Sequence, residues 1–221
     1  MGALRCLCRL KIAHGALLCI APPTAARAAL LEQHPREGVR ALAKLLRGMS
    51  GGDRWGEGEV AEVIELFCRL VASSRCVDGA VLSHLCLAIQ ENWGEEAVRR
   101  AVEEYGMLEV ALQSMGAEEE VVFVVLEVVA QVCEESPHFA KPLLGGDSMA
   151  VVRQLLSSSQ PQIRLKACRF LAYILDFAPL PHQILIHDRQ LSALLLTLLQ
   201  TDRPAIRSEV VLLLEQAFAC F

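Results

Sequence analysis

Aromatic side chains are scarce in this sequence of 221 residues, since Phe, Trp and Tyr together make up 5% of it. Hydrophobic residues nevertheless make up 53%, and the mean hydropathy of +0.38 excludes a disordered chain. The core must therefore be built mainly from Leu, Val and Ala. Such a core suits many helix–helix contacts better than a sandwich of short strands, so the composition favours an all-α fold.

Long apolar runs are also missing. The nearest candidate for a membrane span, Val121–Cys133, contains Glu127 and is shorter than the ~18 residues that a span needs. Near the N-terminus, Arg5, Arg9 and Lys11 interrupt every apolar run, so no core of a signal peptide forms. The sequence therefore predicts neither a membrane span nor a secretory signal.

The nine cysteines contain no CxxC pair. Their odd number and their spacing argue against a disulfide framework. Several lie among apolar helical residues, where a thiol packs as a small hydrophobe; these are Cys68, Cys86, Cys133, Cys168 and Cys220. This usage predicts a reducing compartment, which means the cytoplasm, with the nucleus as the alternative.

Motifs for catalysis and for metal binding are absent from the sequence. It has no HExxH, no GxSxG and no Cys/His spacing that is typical of a metal site. The Gly-rich loop at residues 48–58 lacks the GKS or GKT ending of a phosphate-binding loop. His84 and Cys86 are two residues apart on a predicted helix and point in different directions, so they cannot chelate one ion. We therefore expect no enzyme, no cofactor and no metal.

Charge is distributed unevenly along the chain. The formal net charge is −5, with +6 in residues 1–50, −13 in residues 51–140 and +2 in residues 141–221. An acidic total argues against nucleic acid as a partner. The change of sign along the chain can set the choice of a protein partner electrostatically.

The clearest organised stretch is Ser148–Asp176, which predicts an amphipathic helix, a polar turn and a longer apolar helix. Its residues recur 43 residues later, so that Pro161 matches Pro204 and Leu171 matches Leu214. A period of about 40–47 residues with two or three helices per unit is typical of armadillo and HEAT arrays.

Three well-formed units of three helices each are predicted, at residues 95–136, 137–178 and 179–221. Residues 1–94 fit the pattern more loosely. Pro161 and Pro204 stand where a third helix can begin without losing a hydrogen bond. The predicted third helices are the longest of each unit, and they span Glu118–Cys133, Pro161–Phe177 and Pro204–Phe218.

The segments GMLEVALQSMGAEEEVVFVVLEVVAQV and SMAVVRQLLSSSQPQIRLKACRFLAYI are similar to the armadillo repeat, with Ala167, Leu171 and Ile174 on the third helix. HEAT repeats look alike, and the choice between the two stays open for residues 1–94. The resemblance implies one right-handed α-solenoid of about four to five repeats over residues 1–221. It also implies that the third helices line a concave groove that binds a peptide or a partner's helix.

The resemblance further implies which residues lie in the groove. In groove-binding armadillo proteins an Asn near the end of each third helix holds the peptide backbone, but no matching position here is Asn. The resemblance therefore does not extend to an importin-like Asn ladder. The groove positions predicted from the match, and from one turn earlier on the same helix face, are Arg9, Glu65, Arg69, Glu127, Gln131, Arg169, Tyr173 and Gln216.

The function that these features predict is a non-catalytic scaffold or adaptor that binds a protein or peptide partner. The alternative is a regulator that clamps a globular partner, such as an Hsp70 nucleotide-exchange factor of armadillo type. The first unit begins in mid-repeat, and the last helix ends on Phe218 and Phe221 without a polar capping repeat. This pattern predicts either a piece of a longer solenoid or self-association through the ends.

Overall fold

A computed structural model describes residues 59–74, 79–116 and 118–219 of the chain. Within these ranges the fold consists of α-helices, one 3-10 turn and connecting loops, with no β-strand. The prediction of an all-α fold is therefore confirmed for the part of the chain that the structure describes. Arg9, the Gly-rich loop at residues 48–58 and Cys220 lie outside it.

The helices of the first half follow the predicted order. They are α1 (Glu59–Ser74), α2 (Gly79–Glu91), α3 (Glu96–Glu104), α4 (Met107–Ser114) and α5 (Glu119–Glu135). Helix α5 is rich in Val, which prefers strands, yet it is helical. The left-handed backbone of Gly106, with φ of 57°, separates α3 from α4 at a position where a side chain would be strained.

The helices of the second half form two successive triplets. The first contains α6 (Ala140–Leu143, after a 3-10 turn at Pro137–Phe139), α7 (Gly146–Leu156) and α8 (Pro161–Leu175). The second contains α9 (Pro181–His187), α10 (Arg189–Thr201) and α11 (Pro204–Phe218). Proline stands in the first turn of α8, α9 and α11, where its missing N–H has no helical partner to lose.

The chain divides into two compact units, and the boundary between Val125 and Leu126 falls within α5. In the first unit, α1 packs against α2, α3 and α4. Its core is aliphatic and includes the fully buried Ile64, Leu82 and Leu85. The prediction of one solenoid over residues 1–221 stays a prediction.

In the second unit, equivalent helices of the two triplets pack against each other: α7 contacts α10, and α8 runs along α11. The neighbours α7 and α8, and likewise α10 and α11, close each triplet internally. Ile163 and Ile206 are both buried although they are 43 residues apart, so the recurrence in the sequence is also a recurrence in packing.

Among the ion pairs that join the triplets, two lead from a helix of the first triplet to a loop of the second. Arg164 of α8 places Nε 2.5 Å from Oδ2 of Asp202 and Nη2 2.8 Å from Oδ1, and its Nη1 donates to the carbonyl of Ser158 at 2.6 Å. Arg153 of α7 pairs with Asp188, whose other oxygen accepts the N–H of Leu191 at 2.9 Å and so caps α10. Each arginine therefore connects one triplet to the loop that precedes a helix of the next.

Four cysteines of the described residues are buried free thiols, as their apolar neighbours in the sequence predicted: Cys68, Cys86, Cys133 and Cys168. Burial raises the pKa of Cys68, Cys86 and Cys168 to about 12, so these groups remain thiols at neutral pH. A thiol held in this state packs as an apolar group.

Crossing a lipid bilayer requires a helix of about 18 or more mostly apolar residues. None of the helices in the described residues combines the length and the apolar character that crossing a membrane requires.

Candidate protein-binding groove

A surface groove runs over α5, α8 and α11 in the second unit. It contains two adjoining cavities, of about 800 Å³ between α5 and α8 and about 620 Å³ between α8 and α11. Arg169 and Tyr173 of α8 line both cavities, so the two lie side by side across α8. We call the surface of these two cavities the groove.

The groove includes most of the positions that the sequence predicted for partner binding. Glu127 and Gln131 of α5 line the first cavity, Arg169 and Tyr173 line both, and Gln216 of α11 lines the second. These five side chains are brought together because the third helix of each predicted repeat contributes to the same surface.

Glu65 and Arg69 are not among the residues that line this groove. Glu65 and Arg69 lie on α1 in the first unit, where they pair with each other at 2.8 Å between Oε1 and Nη2. Glu65 also accepts a hydrogen bond from the hydroxyl of Tyr105. Arg9 lies outside the described residues. Whether these three residues bind a partner stays a prediction.

The charge of the groove is predominantly negative. Two cations line it, Lys166 and Arg169, and Nε of Arg169 donates to Oε1 of Glu209 at 2.8 Å. Gln216, which belongs to the second triplet, donates from its side-chain amide to the carboxylate of Asp176. The carboxylates are three times as many as the cations, and they are Glu127, Glu134, Glu135, Asp176, Glu209 and Glu215.

Tyr173 is the most unusual polar group of the groove. Its hydroxyl oxygen is buried and has no hydrogen-bond partner, and its ring meets Phe177 edge-on at 5.3 Å between centroids. Burial, followed by the charges of Glu134, Cys133 and Asp176, raises the pKa of Tyr173 to about 12. The hydroxyl therefore stays protonated and can donate to an incoming acceptor.

Replacing Tyr173 by Phe should leave stability nearly unchanged. Since the hydroxyl makes no hydrogen bond, its loss is expected to change the free energy of unfolding by no more than about 0.5 kcal/mol. The chain's only other tyrosine provides a matched control, because Tyr105→Phe removes a bond to Glu65 and should cost about 1 kcal/mol. Urea denaturation of both variants checks this. A loss for Tyr173→Phe as large as that of the control would show that the hydroxyl is partnered.

Several lining residues were not predicted from the sequence, although a spacing signal for them exists. Glu134 follows Glu127 and Gln131 at the next helical turn of α5, and Lys166 precedes Arg169 by three residues on α8. Residues three, four and seven apart share one helix face. The missed residues could therefore have been found by extending each predicted face along its whole helix.

The described residues bring together no group of three or more His, Cys, Asp or Glu side chains that is arranged to hold a metal ion. In the groove, the carboxylates of Asp176 and Glu209 are engaged by Gln216 and Arg169. The groove thus presents carboxylates, amide groups and one buried hydroxyl on an open surface. Such groups can form ion pairs and hydrogen bonds with a peptide.

Comparison with models of protein families, with curated protein sequences and with solved structures finds no match to this chain.

Proposed function

We propose that this protein is a non-catalytic scaffold that binds an extended segment of a partner protein along the groove. The observation that carries the proposal is that three long helices at repeat spacing line two adjoining cavities on one surface. The packing of α7 on α10 and of α8 on α11 supports an armadillo-like solenoid as the framework. The buried free cysteines support the cytoplasm as its location.

The chemistry of the groove favours a basic segment as the ligand. Six carboxylates against two cations attract Lys and Arg side chains, and this attraction speeds the encounter as well as selecting the partner. Gln131 and Gln216 carry amides that can both donate to and accept from a peptide backbone. The exposed Leu212 adds an apolar contact in the second cavity.

A basic peptide should bind the groove, and two neutralising substitutions should weaken it. Three labelled peptides of equal length are compared by fluorescence anisotropy at low salt: one rich in Lys and Arg, one with Gln in their place and one with Glu. The basic peptide is expected to bind most tightly. Glu127→Gln with Glu134→Gln should weaken it by about tenfold, since each exposed charge pair contributes up to about 1 kcal/mol. Added salt should weaken it further.

The matched control removes two exposed carboxylates elsewhere, by Glu91→Gln with Glu103→Gln in the first unit. It changes the net charge equally and should leave the affinity unchanged. Equal loss in both double variants would mean that the peptide responds to net charge and not to the groove. Failure of all three peptides to bind would contradict the groove proposal and leave the clamp on a folded partner domain as the function to test.

A further inference from the structure

The face of α8 that packs on the second triplet has a counterpart on α11. On α8, Arg164 pairs with Asp202 of the second triplet, and Cys168 on the same stripe is 0% exposed. After burial, the charges of Glu209 and Asp202 also raise the pKa of the Cys168 thiol, so this thiol lies beside the second triplet. Two turns further, Leu175 is buried as well. This stripe of α8 is therefore the contact face between the triplets.

The residues that stand 43 positions later form an exposed apolar stripe. Cys168 corresponds to Val211, which is 43% exposed, and Leu175 corresponds to Phe218, which is 41% exposed. On α10, Leu196 is 56% exposed at the position equivalent to Arg153. Of the seven large apolar side chains that the described residues leave exposed, six lie between residues 180 and 218. We call Leu196, Arg207, Val211, Leu214 and Phe218 the outer face.

The outer face has the same arrangement of residues as the face of the first triplet that is covered by helices. It continues the register of an interface already present within the chain, where the same positions are packed against a neighbouring triplet. An apolar stripe of this kind on a helix is stabilised when another helix removes it from water. The groove lies on a different side of α11, where Leu212 and Gln216 point.

The charges on α11 indicate that the covering helix is α11 of a second copy. Arg207 and Glu215 are both exposed and stand four residues before and four residues after Val211. If two α11 helices pack antiparallel with Val211 at the centre, each Arg207 meets Glu215 of the second copy. A two-fold contact of this kind repeats every pair twice and brings the same patch from both chains together.

We propose that the outer face is a self-association surface, on which two copies of this chain pair through antiparallel α11 helices. Val211 of both copies forms the centre, Leu196 and Phe218 are the other apolar side chains of the surface, and the Arg207–Glu215 pairs fix the register. Of the residues in this contact only Glu215 also lines the groove, at the edge of the second cavity, so a dimer presents two grooves to its partners. Two linked sites increase the avidity for a partner with more than one basic segment.

The test is the mass of the full 221-residue chain in solution, measured by sedimentation velocity over a range of concentrations. The expected species has twice the monomer mass of 24.2 kDa. Val211→Ser should weaken the dimer by at least tenfold, because it removes an apolar contact from each copy. The neighbouring Leu212→Ser, on the groove side of α11, should leave the dimer intact. A monomer at every concentration would overturn the proposal.

A charge exchange tests the register. Arg207→Glu places two carboxylates together in each pair and should weaken the dimer by at least tenfold, and Glu215→Arg should do the same with two cations. The double variant Arg207→Glu with Glu215→Arg restores opposite charges and should recover most of the affinity. Circular dichroism confirms that each variant is folded. If the double variant stays as weak as the single ones, the antiparallel pairing is wrong.

Discussion

Replacing Asp202 by Asn should lower the free energy of unfolding by about 3 kcal/mol at neutral pH. The carboxylate accepts two hydrogen bonds from Arg164, at 2.5 and 2.8 Å, and a third from the N–H of Arg203 at 2.7 Å. The side chains of Arg164 and Asp202 are only 16% and 6% exposed. Removing one partner of a mostly buried pair leaves an uncompensated charge, which costs about 3–5 kcal/mol when burial is complete. Urea denaturation followed by circular dichroism measures the loss.

The same ion pair makes stability depend on pH in a defined direction. The hydrogen bond from Arg164 holds the pKa of Asp202 below its ordinary value of about 3.9. A carboxyl whose pKa is lower in the folded state stabilises the fold above its unfolded pKa and loses that contribution as pH falls through the folded pKa. The difference between wild type and Asp202→Asn should therefore be full at pH 5 and above, and should shrink below about pH 4.

Asp147→Asn is the matched control for this prediction. Asp147 is exposed in the first turn of α7, where a carboxylate contributes only about 0.3–1 kcal/mol through the helix dipole. Its replacement should have a small effect at every pH. Equal losses at Asp147 and Asp202 would mean that the inter-triplet pair adds nothing beyond ordinary surface electrostatics.

Local signals in the sequence were sufficient to predict the helices of the described residues. Apolar residues at helical spacing and proline at the helix starts predicted α8 as Pro161–Phe177, and the observed helix is Pro161–Leu175. The amphipathic helix that the sequence predicted from Ser148 is α7, and it begins two residues earlier, at Gly146. The structure leaves only Gly145 extended and includes Gly146 in the helix. Glycine permits either conformation, so the sequence alone could not distinguish the two.

Contacts between triplets could not be predicted in the same way. The recurrence of Arg164 as Arg207 was visible in the sequence, but nothing local shows that Asp202, 38 residues further on, supplies the carboxylate. The pairing arises because α8 packs along α11 and brings the loop before α11 to the start of α8. Arg207 has the same place in its own triplet and is exposed. Two residues at the same position of their repeats thus have different environments when different elements pack against them.

The candidate groove was predictable only in part, for a related reason. Glu127, Gln131, Arg169, Tyr173 and Gln216 were found because they occupy corresponding positions on the third helices. The negative charge of the groove was not predicted, because it appears only when all lining residues are counted. The pairing of Arg169 with Glu209 was also not evident from the sequence. The buried hydroxyl of Tyr173 could not be inferred at all, since it depends on packing in three dimensions.

Leu171→Ala should be the most destabilising single substitution considered for the second unit, at about 3–4 kcal/mol. Leu171 is fully buried on α8, on the same stripe as Arg164 and Cys168 that packs against the second triplet. Truncating a buried Leu loses its burial and leaves a cavity, which together cost about 2–5 kcal/mol. Leu212→Ala is the control, because Leu212 is exposed and its truncation should cost less than about 0.5 kcal/mol.

The helices that Leu171→Ala destabilises show whether the chain is an array of stacked repeats or has a single cooperative core. In stacked repeats, stability is a sum of repeat terms and interface terms between neighbours, so a cavity at the α8–α11 contact acts mainly on the two triplets that share it. Hydrogen exchange of Leu171→Ala should therefore accelerate at the amides of α7, α8, α10 and α11. The amides of α1 to α4 should exchange at nearly the wild-type rate. Uniform acceleration along the described helices would contradict the repeat architecture, because it would mean that the whole chain opens as one unit.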